Sequence, residues 1–170
     1  MRLRKLKLED AYLMYEWMHD TDVVKNMQTN FLKKTIEDCE EFIKNSENEE
    51  NINLAIVDEN DEYMGTVSLK HIINKSAEFA ITVRKKAMGA GFSIFGMKEI
   101  IRIGFEKYNL SEIYWCVSKK NVRALRFYDK NGYSRVSYNE IDNKNSYSES
   151  QAQSYIWYKE VNKSVSVSNS

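Results

Sequence analysis

Proline is missing from all 170 residues, and glycine occurs only six times. Turns must therefore be built from Asn, Asp, Ser, Lys and those few glycines, so each glycine marks a place where the backbone asks for one. Cysteine is scarcer still. Cys39 and Cys116 stand far apart, with neither the paired spacing of a zinc site nor the density of a disulfide framework, and reduced thiols suit the cytoplasm. No apolar run approaches the roughly 18 residues of a membrane span. The basic start MRLRKLKLEDAY lacks the apolar core and cleavage site of a secretory leader. Net charge is absent as well, 25 cations balancing 25 acids, which removes the electrostatic argument for nucleic acid or an acidic membrane surface. The expectation is a cytoplasmic protein of one domain, with no metal, membrane or nucleic-acid partner.

What is present is periodicity. RLRKLKL alternates basic and apolar residues, as a half-buried strand does. EDAYLMYEWMHD places Ala11, Met14, Tyr15 and Met18 on one helical face, and TIEDCEEFIKN opens on a capping box from Thr35 to Asp38. Residues 20–34 are irregular, with room for one short helix in TDVVKNM. INLAIVD and EYMGTVSLKHI read as a hairpin through ENDE, and SAEFAITV as the next strand after NKS. FSIFGMKEIIRIGFEKY is helical, SEIYWCVS extended, and NVRALRFYDKNG a helix ending on Gly132. YSRVSYNEI and AQSYIWYKEV read as closing strands. The order β-α-α-β-β-β-α-β-α-β-β, with no repeat or linker, predicts one α+β domain over 1–161 with a mixed sheet, then a flexible Ser/Asn-rich tail over 162–170.

The stretch RKKAMGAGFS lies between a strand and a long helix and holds two glycines one residue apart, three cations and no acid. A glycine loop opening a helix aims unpaired N–H groups in one direction and lets a phosphate approach the backbone. The same pair can also serve merely as a tight turn. A P-loop is excluded because Gly91 is followed by Phe92-Ser93 rather than Lys-Ser/Thr. A dinucleotide fingerprint is excluded because Ile94 stands where its third glycine belongs and three strands precede the junction.

Lys86-Ala-Met-Gly89-Ala-Gly91 resembles the acetyl-coenzyme A signature of GNAT-type N-acetyltransferases, with Lys in its first place. About thirty residues on, NVRALRFYDKNGY is similar to that family's second signature, with Asn121, Ala124, Tyr128, Gly132 and Tyr133 in register. The branch resembled includes ribosomal-protein amino-terminal, polyamine and nucleotide-sugar acetyltransferases. The resemblance implies a mostly antiparallel sheet of about seven strands with about four helices, and a V-shaped split between the fourth and fifth strands, where acetyl-CoA inserts. Ile81 and Val83 would pair with the pantetheine arm. The loop of Lys86, Met88, Gly89, Ala90, Gly91 and Phe92 would hold the diphosphate with Lys86 assisting, and Asn121 would touch the cofactor from the other side.

By the same resemblance Tyr128 is the general acid for the leaving thiolate, in a direct attack by the amine. An ordinary helix-face contact is the other reading. Glu78, the one acid in SAEFAITV, is the candidate base, or else a cross-strand partner. Cys116 stands where some relatives carry a basic glutamate, and a thiol there reads better as buried filler. Trp17, His19 and Met27 are candidates to line the acceptor pocket, although a Met/aromatic stripe also suits a core. The acceptor is a small-molecule or peptide amine. An amino-sugar nucleotide is favoured, with a polyamine or a protein amino terminus as alternatives, and a non-catalytic CoA- or peptide-binding module stands in a different class. Family habit also admits a homodimer.

Overall fold

The computed structural model describes residues 1–27, 29–142 and 147–163. Seven strands form one sheet: β1 (Arg2–Lys5), β2 (Ile52–Val57), β3 (Tyr63–Ile73), β4 (Ser76–Val83), β5 (Glu112–Ser118), β6 (Arg135–Val136) and β7 (Tyr155–Val161). Their order is β1-β2-β3-β4-β5-β7-β6, and every pairing is antiparallel except β4 with β5. The helices are α1 (Ala11–Met18), α2 (Thr21–Val24), α3 (Ile36–Lys44), α4 (Phe92–Glu106), α5 (Val122–Lys130) and α6 (Glu149–Gln153). The expected α+β domain with a mostly antiparallel sheet of about seven strands holds, with six α-helices among the described residues rather than about four.

Two readings near the end need correction. YSRVSYNEI is extended only at Arg135–Val136, because Ser137 and Glu140 form a capping box that turns the chain. AQSYIWYKEV is strand only from Tyr155, and Ser148 caps α6 before it with Gln151 as the returning partner. Of the expected tail, residues 164–170 lie outside the described residues.

The apolar faces sort into two layers. Ala77, Phe79 and Val83 of β4 join Ile113, Trp115 and Val117 of β5 in the core beneath α4 and α5. The alternate residues of β4 face the layer of α1 and α3, where Met14, Trp17, Cys39 and Tyr63 are buried. Gly65 lets β3 lie close to β4, and Gly104 lets α4 settle on the sheet. A Cβ at Gly65 would lie 2.4 Å from the Thr82 carbonyl oxygen, and one at Gly104 would lie 2.8 Å from Ile113 Cδ1.

β4 and β5 pair only from Ser76↔Glu112 to Glu78↔Tyr114. Past Glu78 they diverge, leaving the rest of β4 with an unpaired edge. This is the split.

Candidate active site

A cleft of 960 Å³ lies in the split, lined by β4 at Ile81–Val83, the loop at Met88 to Ile94, the start of α5, and Lys25 to Met27. Arg84 N donates to Met64 O across the β3 edge. Successive residues of a strand point their N–H and C=O to opposite edges, so those of Ile81 and Val83 face the cleft. An extended ligand laid there would be received as an added strand.

The glycine loop has a geometry that suits an anion. Gly89 and Gly91 have φ of +81° and +88°, the left-handed region that glycine enters freely. Gly91 is the N-cap of α4 and offers no side-chain cap. The first bond into α4 is Phe95 N to Gly91 O, so the N–H groups of Phe92, Ser93 and Ile94 stay open for a ligand, together with the helix dipole. A Cβ at Gly89 would meet nothing within 4 Å. The donor set fits the diphosphate of coenzyme A.

The cations are placed differently from expectation. Arg84 is buried, donating to both carboxylate oxygens of Glu16 at 2.9 and 3.0 Å and to Glu62 at 2.7 Å. Lys86, expected beside the diphosphate, turns to both oxygens of Glu62 at 3.0 Å. The cleft is instead lined by Lys25, Lys85, Lys120, Arg123 and Lys130. Lys85 binds Asp22 at 2.9 Å. Ala90 is exposed and outside the cleft lining, and the Phe92 side chain is buried in the core.

Asn121 lines the cleft from the other wall, its Oδ1 accepting from Ala124 N to cap α5. Tyr128, on the next turns of α5, reaches the same cleft. Its ring packs 5.3 Å from that of Trp115 and 5.2 Å from that of Tyr158. No side chain among the described residues bonds its hydroxyl. Burial pushes the Tyr128 phenol above its ordinary value, with smaller contributions from Tyr158 and Tyr133. It therefore stays protonated at neutral pH.

Glu78 sits at the apex of the split, 5% exposed, on the α1 face of β4. Tyr147 Oη donates to its Oε1 at 2.7 Å, and Cys116 Sγ donates to Tyr147 Oη at 3.4 Å. Burial pushes the Tyr147 phenol up, with Cys116 and Glu78 adding to the shift. Tyr147 has no periodic signal around it in the sequence, and reasoning from the sequence missed it.

A second cavity of 240 Å³ opens on that α1 face. Its walls are Met14, Trp17, Met18, Phe31 and Phe42, and its polar groups are Asn53, Thr66, Ser68, Lys34, Asp38 and Lys70. Ile81 and Thr82 line both cavities, so β4 alone stands between them. Trp17 is buried here, its Nε1 donating to Tyr63 Oη at 3.1 Å. Met27 lines the larger cleft instead. His19 lines neither. Its ring lies 4.0 Å from that of Tyr15, with Nδ1 3.0 Å from the Tyr15 carbonyl oxygen.

Comparison with known proteins agrees with this geometry. The family model described as an acetyltransferase (GNAT) domain matches residues 1–134. "Acetyltransferase PseH" of Campylobacter jejuni is 24% identical over 130 residues, covering 76% of this chain and 80% of that protein. Spermidine N(1)-acetyltransferase of Escherichia coli is 25% identical over 136 residues, covering 79% and 73%. The fold superposes on spermidine N-acetyltransferase from Vibrio cholerae, solved with CoA and spermine, with a TM-score of 0.76 at 20% identity over 94% of each chain. With its split sheet, its glycine cradle and these relatives, the chain belongs to the GNAT family and is an N-acetyltransferase that takes acetyl from acetyl-CoA to an amine.

Proposed function

We propose that the acceptor is the primary amine of an amino-sugar nucleotide, which enters through the 240 Å³ cavity and meets the thioester beside Glu78. The observation that carries this reading is the charge of that cavity, whose lining holds Lys34, Lys70 and one acid, Asp38, with Glu78 across from Lys70 on the neighbouring strand. Asp38 is already engaged, accepting from Thr35 N at 2.9 Å and lying 3.7 Å from Lys34 Nζ. Lys70 has no ion pair among the described residues. Such a wall attracts phosphate and repels a polycation, while Asn53, Thr66 and Ser68 suit sugar hydroxyls.

The acids that a polyamine would need are engaged elsewhere. Glu16 holds Arg84, Asp22 holds Lys85, Asp20 caps α2, and Glu47 holds Lys5. Arg2 and Arg4 are likewise bound, Arg2 to Asp61 and Arg4 to Asp61 and Asp10. A polyamine is the second reading, because relatives of this chain are named spermidine acetyltransferases.

In this reading acetyl-CoA supplies the activated acyl group. The backbone of Ile81 and Val83 aligns the pantetheine, and Met88 and the N–H groups from Gly89 to Ile94 hold the diphosphate end, with Asn121 opposite. Glu78 takes a proton from the incoming ammonium. Tyr128, as general acid, passes its proton to the sulfur as negative charge develops there and regains one from the acetylated nitrogen. Holding amine and thioester together supplies much of the rate.

Turnover against amino-sugar nucleotides, polyamines and amino-terminal peptides tests the acceptor, with Lys70→Glu as the discriminating variant. The charge reversal should raise KM for an amino-sugar nucleotide by about 10- to 150-fold, the loss of one charge-assisted contact. Spermidine as the best substrate, with Lys70→Glu unchanged, would overturn the reading.

A further inference from the structure

Acetyl transfer from a thioester to an ammonium removes two protons from nitrogen. One ends on the sulfur and the other must reach solvent. Glu78, the base in that reading, is buried and lines neither cavity, and its Oε1 already accepts from Tyr147. The other oxygen, Oε2, lies 3.9 Å from His71 Nε2, and the His71 side chain is 49% exposed.

That approach depends on a bulge. β3 and β4 pair at Lys70↔Glu78 and next at Ile73↔Ser76, so His71 and Ile72 together oppose Ala77. In a regular ladder residue 71 would point to the face opposite that of Lys70 and Glu78. His71 instead has φ +53°, and its N–H is held by Asn51 Oδ1 at 3.3 Å. The irregularity turns the imidazole back toward the carboxylate, as bulges beside active sites re-aim side chains.

We propose that His71 is the exit of a proton route from the acceptor amine through Glu78 to solvent. This rests on Glu78 acting as the base. The ammonium N–H bond breaks as Glu78 Oε2 gains the proton. One water or a small side-chain rotation closes the 3.9 Å gap. His71 Nε2 takes the proton and releases it to bulk water, which restores the carboxylate. Imidazole exchanges protons readily near neutrality. Other groups facing Glu78 are Lys70, its cross-strand partner on β3, Tyr114 and Cys116 on β5, and Tyr147. Farther along β5, Glu112 is engaged by Lys159 and Ser76. None of these combines contact with Oε2 and an exposed ring.

The test is His71→Gln assayed in dilute buffer with the preferred acceptor. kcat should fall about 100-fold, within the range of positioned acid–base groups, while Tm and acetyl-CoA affinity stay unchanged. Added imidazole should restore turnover in proportion to its concentration. A kcat within twofold of the unaltered enzyme, or a loss that imidazole does not restore, overturns the route. Glu78→Gln keeps the two claims apart. Turnover intact in that variant removes the base itself, whereas a deep loss there beside an unaffected His71→Gln removes only the relay.

Discussion

Replacing Gly89 by alanine distinguishes a glycine needed for a turn from one needed for a phosphate. Gly89 has φ +81°, and a Cβ built there meets no heavy atom within 4 Å. Crowding therefore adds nothing to the cost in the free protein. What remains is the left-handed backbone, about 1–2 kcal/mol for an L-residue, or a fall in Tm of roughly 2–8 °C for a domain of this size. If the diphosphate rests on the N–H groups of this loop, the same methyl stands where an oxygen must approach. Losing one charge-assisted hydrogen bond, about 1.5–3 kcal/mol, raises Kd for acetyl-CoA by about 10- to 150-fold. Gly89→Asn sharpens the contrast, since asparagine tolerates left-handed backbone. Its Tm should fall less than alanine's and its Kd should rise at least as far. Titration calorimetry and thermal melts read both quantities. Kd within twofold of the unaltered protein in both variants would refute the phosphate role and leave Gly89 a turn residue.

Tyr128→Phe should lower kcat by about 10²–10⁴-fold with acetyl-CoA affinity and Tm kept, because its hydroxyl holds no partner among the described residues; an unchanged kcat removes it from the chemistry. Gly65→Ala drives a Cβ to 2.4 Å from the Thr82 carbonyl and 2.9 Å from Val83 Cα, so it should cost about 3 kcal/mol and weaken cofactor binding through the displaced end of β4. An unmoved Tm would contradict that close approach. Arg84 and Lys86 hold the Glu62 carboxyl below its ordinary value, and Lys7 and Arg4 hold that of Asp61 well below. Each stabilises the fold fully above the unfolded carboxylate value near 4 and loses that contribution as pH falls through its lower native value. Tm should therefore drop below about pH 4, and Glu62→Gln should flatten the drop. Curves of identical shape would show that the Arg84 cluster carries no such linkage.

The parts of the site legible in the sequence were those set by local backbone chemistry. Gly89 and Gly91 at a strand–helix junction and Gly132 after α5 each announce a left-handed backbone. Glu78 was legible because an acid in an apolar strand needs a reason. Long-range pairing was not legible. Whether Arg84, Lys85 or Lys86 faces the cleft is decided by Glu16, Glu62 and Asp22, which are distant in the chain. His71 carried no signal, since its role depends on a bulge whose register only the folded sheet fixes. The Ser148–Gln151 capping box was visible in principle, yet the apolar alternation of β7 drew the strand assignment back over the end of α6.

The central claim is that the open edge of β4 and the glycine loop together hold acetyl-CoA. A crystal structure of the complex with coenzyme A tests it most directly. The account predicts pantetheine amides bonded to the backbone of Ile81 and Val83, diphosphate oxygens on N–H groups between Gly89 and Ile94, and the sulfur within reach of Tyr128 Oη. Coenzyme A bound away from β4, or with its diphosphate off the glycine loop, would contradict it.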